Sequence, residues 1–448
     1  MKTFLGFMGI AIGLVGIAYG VPRTDFPTLL GLYVLAFLSY LYLLSVQKKQ
    51  ALSPLILLSM ALGLRVLLLG AWPELSDDFY RYIFDGQLLA NGINPYLELP
   101  LTVCDSGLLP ENPYWETLLD RMNSPAYFSL YPPLHQFFFW LAALPGENLF
   151  LNVLVLRATV LLAEGINLWL IQKLLFRWRM PSYRLSWYAF NPLVILELTG
   201  NLHFEGWVLT GLLFAVYAYD VQKPPWAGLS WAASIGLKLT PLLLAPVWIR
   251  FWGKHQFWKF TLVSVLVVLL LLSPIVIAGG AENFFQSFRL YQSKFEFNAS
   301  LYYLIRAASG YFVDYNPIAY VGPALQGLAA IALLTMGLYQ RTFTREALVS
   351  KMVWMYLVFF LLQTTIHPWY LIPAVGISVL TTNRIFVAWS GLVFLSYHVY
   401  ARPEYTESMG MAATEYLLLA IVIVLTAYRH FASRRRLSSA SSAKSESL

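Results

Sequence analysis

The sequence predicts an all-α polytopic membrane protein, and its composition, hydropathy and repeated apolar stretches all support this fold class. Of the 448 residues, 58% are hydrophobic and 12% are charged, about half the charged fraction of an average soluble protein. The mean hydropathy is +0.62. Apolar stretches recur along most of the chain and predict roughly 11–14 transmembrane or re-entrant helices. This composition excludes a soluble enzyme, a disordered chain and a fibrous protein.

The apolar stretches follow one another closely from the N-terminus. We expect 4–19 to be a retained first helix rather than a signal peptide, because further spans follow at once. The later stretches lie at 27–46, 51–71, 127–145, 149–176, 185–199, 205–220, 226–249, 260–279, 317–339, 348–366, 369–380, 385–400 and 413–428. Several are shorter than the roughly 20 residues that a span requires. We therefore predict a single transmembrane domain over 1–430 and a disordered basic tail over 431–448.

The distribution of Lys and Arg predicts the orientation in the membrane. The net charge of +7 arises from 30 basic and 23 acidic residues, and more than half of the excess lies in 429–448. A nucleic-acid partner is therefore not expected. By the positive-inside rule, the basic loops are cytoplasmic: 47–50, 250–259, 341–351 and the C-terminal tail. This places 72–126 and 280–312 on the extracytoplasmic face, in what we expect to be a bacterial inner or plasma membrane.

Two apolar stretches need a break to satisfy this orientation. If 127–145 crossed the membrane fully, the arginines that follow 149–176 would lie outside, against the positive-inside rule. A re-entrant or juxtamembrane segment broken at Pro132-Pro133 removes the conflict. In the same way, 226–249 is predicted to be interrupted around Lys238 and Pro241.

The richest polar cluster lies in segment 72–126, from Ser76 to Tyr96. Asp78, Arg81/Tyr82 and Asp85 are spaced to share one face of a helix, for which Ser76 or Asp77 is a plausible N-cap. Two interpretations remain open at this point. The paired aspartates either cap the helix and balance its dipole, or they carry chemistry.

Further polar motifs follow at the ends of later apolar stretches. They are Tyr131-Pro132-Pro133-Leu134, Asn191 to Glu205, Gly236 to Pro241, Phe295 to Ser300 and His367 to Tyr370. The run from Asp77 to Tyr96, followed by Tyr-Pro-Pro-Leu, resembles the first luminal loop of GT-C glycosyltransferases. It is most similar to the bacterial branch that resembles GPI-anchor mannosyltransferases and other polyprenyl-phosphate-mannose-dependent enzymes. The later motifs extend this resemblance over most of residues 50–400.

The resemblance implies that an aspartate of the first outer loop is the catalytic base. Family members usually carry an Asp-x-Asp-like pattern there, whereas this chain has adjacent Asp77 and Asp78 followed by Phe79. The spacing to Tyr82 and Asp85 favours Asp78, and Asp77 is the alternative. A single carboxylate suffices for an inverting displacement, because the leaving group is already a phosphate.

The resemblance and the positions of the polar motifs also predict a set of substrate-binding residues. This set is Arg81, Tyr82, Asp85, Asn94, Tyr96, Tyr131, Asn201, His203, Glu205, Lys238, Arg289, Lys294, Asn298, His367, Trp369 and Tyr370. Positive charge is needed at the donor phosphate. For Arg289 and Lys294, solvated loop charge is an equally good interpretation.

No cofactor is predicted with certainty. His203 and Glu205, with the aspartate pair, are residue types that suit Mg²⁺ or Mn²⁺. The resemblance nevertheless favours catalysis without metal. The one cysteine, Cys104, argues against a cysteine-based metal site.

These observations predict a membrane glycosyltransferase that moves a hexose, with mannose favoured, from a polyprenyl-phosphate donor. The acceptor would be a lipid-linked or cell-envelope glycan on the extracytoplasmic side, and inversion is expected. The main alternative is a lipid-linked sugar transporter or flippase, which would favour repeats and a site at mid-membrane. A catalytically silent assembly subunit is disfavoured because both aspartates are present.

Overall fold

The computed structural model describes residues 1–340 and 342–445, and within these residues the backbone is helical wherever it is regular. Extended pairing in this part of the chain is limited to a bridge between Phe297 and Thr365. The predicted all-α class is confirmed.

The first part of the chain begins with two long helices and continues through shorter ones that surround the polar segment. Their bounds are α1 Lys2–Val15, α2 Phe26–Lys49, α3 Pro54–Val66, α4 Asp78–Ala90, α5 Pro100–Asp105, α6 Pro113–Arg121, α7 Pro133–Ala143, α8 Leu149–Arg177, α9 Ser186–Ala189 and α10 Pro192–Ile195. A π-helical turn, Gly16–Gly20, extends α1, and a second, Leu196–Gly200, follows α10.

The second part contains long apolar helices separated by shorter ones. Their bounds are α11 Glu205–Asp220, α12 Pro224–Leu237, α13 Ala245–Phe251, α14 Lys254–Ile277, α15 Ala281–Lys294, α16 Leu301–Ser309, α17 Ile318–Leu338, α18 Arg345–Leu361, α19 Ile372–Ser378, α20 Ile385–Leu392 and α21 Met409–Ser445. Short 3₁₀ segments lie at Ser182–Leu185, Thr240–Leu244, Pro368–Leu371, Val393–Ala401 and Pro403–Tyr405.

Among the described residues, six helices are long and apolar enough to cross a membrane. They are α1 with its π-helical turn, α2, α8, α14, α17 and α21 up to Tyr428. Shorter apolar helices lie at Pro54–Val66, Thr240–Phe251 and Ile385–Ala401. A helix rises about 1.5 Å per residue, so Pro54–Val66 and Thr240–Phe251 are shorter than the roughly 30 Å of the hydrocarbon core. The chain is thus a polytopic membrane protein with long helices and half-length ones.

Both predicted interruptions are present. Helix α7 begins at Pro133 and has only 11 residues, far fewer than the roughly 20 needed for a span. Helix α12 ends at Leu237, and Lys238 has an extended backbone before the 3₁₀ segment Thr240–Leu244. The predicted single domain and the predicted sidedness of the loops stay predictions.

Segment 72–126 is ordered around α4, which packs against α6, α7 and α8. Phe79, Ile83 and Phe84 of α4 are fully buried in this small apolar core. Burying apolar surface in this way stabilises the segment outside the long helices. The start of α4, with its two aspartates, is therefore held in a defined position.

The predicted disordered tail overlaps the end of α21. The described backbone is helical as far as Ser445, and 446–448 lie outside the described residues. Whether the tail is disordered in solution stays a prediction.

Candidate active site

The two adjacent aspartates at the start of α4 have different partners. Asp77 accepts hydrogen bonds at 2.8 Å from the Nη1 atom of Arg23, in the loop before α2. Asp78 instead accepts a 2.7 Å hydrogen bond from the Nδ2 atom of Asn123. The hydroxyl of Tyr82 lies 3.5 Å from its other oxygen. Asp77 is thus an ion-pair partner, whereas Asp78 is held by neutral groups.

Capping at this helix differs in part from the prediction. Asp77 occupies the N-cap position but makes no capping hydrogen bond with its side chain. The hydroxyl of Ser76 accepts a long bond, 3.3 Å, from the backbone N–H of Asp78. Capping alone therefore does not account for the aspartate pair.

The residues predicted to share one face of α4 have different hydrogen-bond partners. Arg81 and Asp85, one turn further along, form a buried ion pair of 2.7 Å. Arg81 also donates to the carbonyls of Ser124 and Tyr127, at 2.8 and 2.9 Å, and Asp85 accepts from Ser129 at 2.6 Å. These contacts fasten the 122–131 loop to α4. Arg81 is buried among protein partners, so the structure gives it an anchoring role.

A second charged pair lies where α11 begins and α12 ends. Glu205, in the first turn of α11, accepts a hydrogen bond from the Nζ atom of Lys238. The same ammonium lies 4.2 Å from the centre of the Tyr370 ring, a cation–π contact. The side chain of Glu205 is 4% exposed and that of Lys238 is 30% exposed. The lysine can therefore be reached by a ligand, and its carboxylate partner lies behind it.

Three charged side chains lie close enough to influence one another electrostatically. We call them the acid–lysine cluster: Asp78, Glu205 and Lys238. Burial raises the pKa of Asp78 above its ordinary value. The hydrogen bond from Asn123 and the charge of Lys238 lower that pKa, and the charge of Glu205 raises it. With both carboxylates ionised, the three side chains carry one net negative charge. A carboxylate with a raised pKa is a better proton acceptor than an exposed one.

Tyrosine rings cover one side of Asp78. Tyr82 stacks on Phe139 with ring centres 4.5 Å apart, and Tyr131 meets Tyr82 edge-on at 5.1 Å. The hydroxyl of Tyr96 donates to the Tyr131 carbonyl at 2.5 Å. Burial raises the pKa of Tyr82 and Tyr131 well above the ordinary value, so both stay neutral. The structure thus brings Tyr82, Tyr96 and Tyr131 together, and their contact with substrate stays a prediction.

The motif from Asn191 to Glu205 contains the least regular backbone near the site. The π-helical turn Leu196–Gly200 precedes Leu202, which has a positive φ of 66°. This conformation is uncommon for a non-glycine residue and typical of functional sites. Asn201 accepts from the N–H of Leu75 at 3.3 Å and donates to Glu197 at 3.2 Å. Asn201 therefore connects this turn to the chain just before α4.

A buried arginine, Arg157, holds the π-helical turn Leu196–Gly200 in place. The guanidinium of Arg157 donates to the carbonyls of Thr199 and Gly200, at 2.8 and 3.3 Å. It also donates to those of Leu69 and Ala71, at 2.7 and 2.6 Å. One side chain thus joins the end of the π-helical turn to the segment that leads into α4.

The predicted aromatic and histidine motifs form one continuous stack. The ring of His203 stacks on one face of Trp369 with ring centres 3.7 Å apart. The ring of His367 stacks on the other face with ring centres 4.5 Å apart. Phe297 stacks on His367 at 4.8 Å. Both faces of Trp369 are covered, so a sugar has no open face of this ring to stack on. The adjacent Tyr370 instead contacts Lys238.

Four predicted residues remain to be described: Arg289, Lys294, Asn298 and Asn94. Arg289 and Lys294 are exposed on α15, and Arg289 lines an open surface cavity of about 630 Å³ beside Glu282. Asn298 is buried and binds the carboxylates of Glu407 and Glu415. The side chain of Asn94 closes a local turn by accepting from the N–H of Tyr96.

Sequence reasoning missed three contributors. Arg23 lies in a short interhelical loop, and Asn123 belongs to none of the polar motifs. Tyr291 of α15 shares a 2.8 Å hydrogen bond with the hydroxyl of Tyr370. Arg23 lies between the first two apolar stretches, and the other end of the second stretch carries the basic loop 47–50. It was therefore an available signal, because the positive-inside rule disfavours an arginine on that side.

The described residues contain no group of three His, Cys, Asp or Glu side chains close enough to hold a metal ion. His203 and Glu205 are neighbours in sequence, but their side chains have different partners. His203 lies against Trp369, and Glu205 is paired with Lys238. In this geometry the lysine occupies the position beside the carboxylate that a cation would take.

The fold defines a polytopic helical membrane protein whose shorter helices carry Asp78, Glu205 and Lys238 at or beside their ends. Residues 17–254, a little more than half of the chain, match the family described as alpha-(1->6)-mannopyranosyltransferase, N-terminal domain. The chain belongs to this family. The matched range includes Asp78, Glu205 and Lys238, whereas Trp369 and Tyr370 lie beyond it.

Individual relatives carry the same description. The chain is 26% identical over 185 residues to alpha-(1->6)-mannopyranosyltransferase A of Mycobacterium tuberculosis, covering 41% of this chain and 34% of that protein. It is 26% identical over 201 residues to the enzyme of the same name from Corynebacterium glutamicum, covering 43% and 38%. A second alpha-(1->6)-mannopyranosyltransferase of M. tuberculosis is 29% identical over 168 residues, covering 35% and 27%. The chain thus spans about a third of the length of these curated relatives.

Proposed function

We propose that this protein transfers mannose from a polyprenyl-monophosphate donor to a hydroxyl of a lipid-linked or cell-envelope glycan, with inversion at the anomeric carbon. Membership in the mannopyranosyltransferase family supports the sugar. The observation that carries the proposal is the position of Asp78, a partly exposed residue whose carboxylate belongs to the acid–lysine cluster. The expected setting is the extracytoplasmic face of a bacterial inner or plasma membrane.

The chemical step uses Asp78 as general base. The acceptor hydroxyl gives its proton to the Asp78 carboxylate as its oxygen bonds to C1 of mannose. The bond between C1 and the phosphate oxygen breaks, and its electron pair leaves with the polyprenyl phosphate. The donor diester, with one negative charge, becomes a phosphate monoester with two. General-base catalysis of this kind contributes typically about 10²–10⁴-fold.

Lys238 is the cation best placed to receive that phosphate. Its ammonium is partly exposed and held in place by Glu205 and the ring of Tyr370. Positive charge at a departing phosphate stabilises the transition state. Arg81 is less suitable, since Asp85 and two backbone carbonyls already occupy its guanidinium. Arg289 and Lys294 stay predicted phosphate contacts on the outer surface of α15.

The two candidate aspartates are distinguished by their partners. The guanidinium of Arg23 binds both oxygens of Asp77 at 2.8 Å, and a base held in this way is less available for an acceptor proton. The raised pKa of Asp78 instead favours proton uptake. This contrast supports Asp78 as the base.

Transfer can be tested with the purified full-length protein. We expect it to consume polyprenyl phosphate mannose, and to leave polyprenyl phosphate glucose unused, when a mannan-type lipid-linked acceptor is present. The anomeric configuration of the product reports inversion or retention. Movement of the donor across a vesicle membrane without sugar transfer would instead indicate a flippase and refute the proposal.

A further inference from the structure

Glu205 neutralises the positive charge of Lys238, the cation proposed to receive the donor phosphate. Its carboxylate accepts a hydrogen bond from the ammonium of Lys238. Its carboxylate is almost completely buried, whereas the ammonium is partly exposed. A ligand that approaches the lysine therefore meets a cation whose charge is already balanced from behind.

The proposed donor and its lipid product differ in charge. The donor phosphodiester carries a single negative charge, and a phosphate monoester carries about −1.5 to −2 at pH 7. A lysine without a counter-charge would attract the product more strongly than the donor. Because product release limits the turnover of many enzymes, that preference would slow the cycle.

We propose that Glu205 sets the charge selectivity of this site. The singly charged donor is bound, and the doubly charged lipid phosphate is released. Asp78 contributes to the same effect after each transfer. It holds the acceptor proton immediately after the reaction, and when that proton passes to water, its carboxylate is negative again. The product then faces two carboxylates and one ammonium, and the net repulsion favours its departure.

This inference rests on the proposed function, but binding tests it without turnover. The probes are farnesyl phosphate, a monoester, and farnesyl methyl phosphate, a diester, titrated into the full-length protein in detergent at pH 8. In Glu205→Gln, we expect the Kd of the monoester to fall about tenfold and that of the diester about threefold. The ratio of the two Kd values therefore shifts toward the monoester.

Three further variants separate charge from folding. Glu205→Asp keeps the charge and should retain the wild-type ratio. Asp77→Asn removes the partner of Arg23 and leaves the pairing of Lys238 with Glu205 intact, so it should shift the ratio much less. Lys238→Gln keeps Glu205 without its cation, and it should weaken monoester binding more than diester binding. This last variant tests the proposal even if Glu205→Gln does not fold.

An unchanged ratio in Glu205→Gln, or an equal shift in Asp77→Asn, would overturn the inference. So would a wild-type protein that binds neither probe. Mannosyl transfer measured on the same preparations judges the proposed function separately. Transfer with an unchanged Kd ratio refutes the role of Glu205 alone, whereas a shifted ratio without any transfer refutes the proposed reaction.

Discussion

Arg23 binds both carboxylate oxygens of Asp77 at 2.8 Å, although the two residues lie 54 positions apart in the sequence. The guanidinium also lies 4.7 Å from the centre of the Tyr400 ring. This contact makes two adjacent aspartates chemically different. Asp77 is fixed in an ion pair, and Asp78 stays available to the acid–lysine cluster.

Replacing Asp78 should remove most of the activity. Asn retains the size of Asp, and the amide oxygen can still accept from Asn123, so Asp78→Asn should fold. We expect turnover to fall by at least about 10²–10⁴-fold with little change in donor binding. The measurement is mannosyl transfer by the purified variant, with donor affinity determined separately.

The neighbouring variant is the matched control for this experiment. Asp77→Asn should cost less activity, because it breaks the ion pair with Arg23 rather than removing the base. If Asp77→Asn were inactive and Asp78→Asn active, Asp77 would be the base. Near-normal turnover in both would reduce the two aspartates to helix-end carboxylates.

The pH profile should report the environment of Asp78. Because burial raises its pKa, the acidic limb of kcat/KM should lie above the ordinary range of an aspartate, near 3.9. Activity should be lost as pH falls through this raised pKa, because the base becomes protonated. Asn123→Ala removes a hydrogen bond that lowers the pKa, and it should move the limb to higher pH. An acidic limb at the ordinary aspartate value would contradict this assignment.

The raised pKa of Asp78 also affects stability, and here the pH dependence has the opposite sign to that of activity. The folded protein binds the Asp78 proton more tightly than the unfolded chain does. The contribution of this group to the free energy of unfolding is therefore present at low pH and lost as pH rises from the unfolded pKa through the raised folded pKa. Asp78→Asn should flatten this part of the pH–stability curve, measured by thermal unfolding in detergent.

Stabilisation by a lipid phosphate should depend on Lys238. A ligand that binds the folded state alone raises the midpoint of thermal unfolding, and Lys238→Ala should lose most of this increase. Arg289→Ala and Lys294→Ala should reduce it less than Lys238→Ala does, because both side chains are exposed on α15 and water screens an exposed charge. Loss of the increase in either of the α15 variants, with Lys238→Ala unaffected, would place the phosphate on the outer surface of that helix.

Trp369 should matter more for stability than for sugar contact. Its ring is enclosed between His203 and His367, so Trp369→Ala should destabilise the protein by about 3–5 kcal/mol. Trp369→Phe keeps an aromatic ring between the histidines, and it should recover much of this loss with a nearly unchanged donor KM. A large rise in KM at normal thermal stability would instead indicate direct contact with substrate.

The orientation can be tested with Cys104, the single cysteine of the sequence. If 72–126 is extracytoplasmic, a membrane-impermeant maleimide should label this partly exposed thiol in intact cells or spheroplasts. Ser106→Cys adds an exposed position on the same loop and should be labelled more rapidly. Labelling that requires permeabilisation would reverse the predicted orientation.

The sequence by itself determined the class of protein and the region that carries its chemistry. Low charge and recurrent apolar stretches are sufficient for a polytopic helical membrane protein, since an apolar helix satisfies its backbone hydrogen bonds internally in lipid. Local breakers also determined the interruptions at Pro132-Pro133 and near Lys238. The helical spacing that placed Asp78 and Asp85 on one face was correct as geometry, because it depends on neighbouring residues alone.

The tertiary structure decided how these residues are used. Asp77 and Asp78 have the same chemistry and adjacent positions, and they differ because Arg23 reaches one and Asn123 the other. The pairing of Glu205 with Lys238 joins residues 33 positions apart. No local pattern specifies such contacts, because they depend on how separate helices pack. Periodicity could therefore locate the acidic face, whereas only packing could decide which of its charges is neutralised and which is left to react.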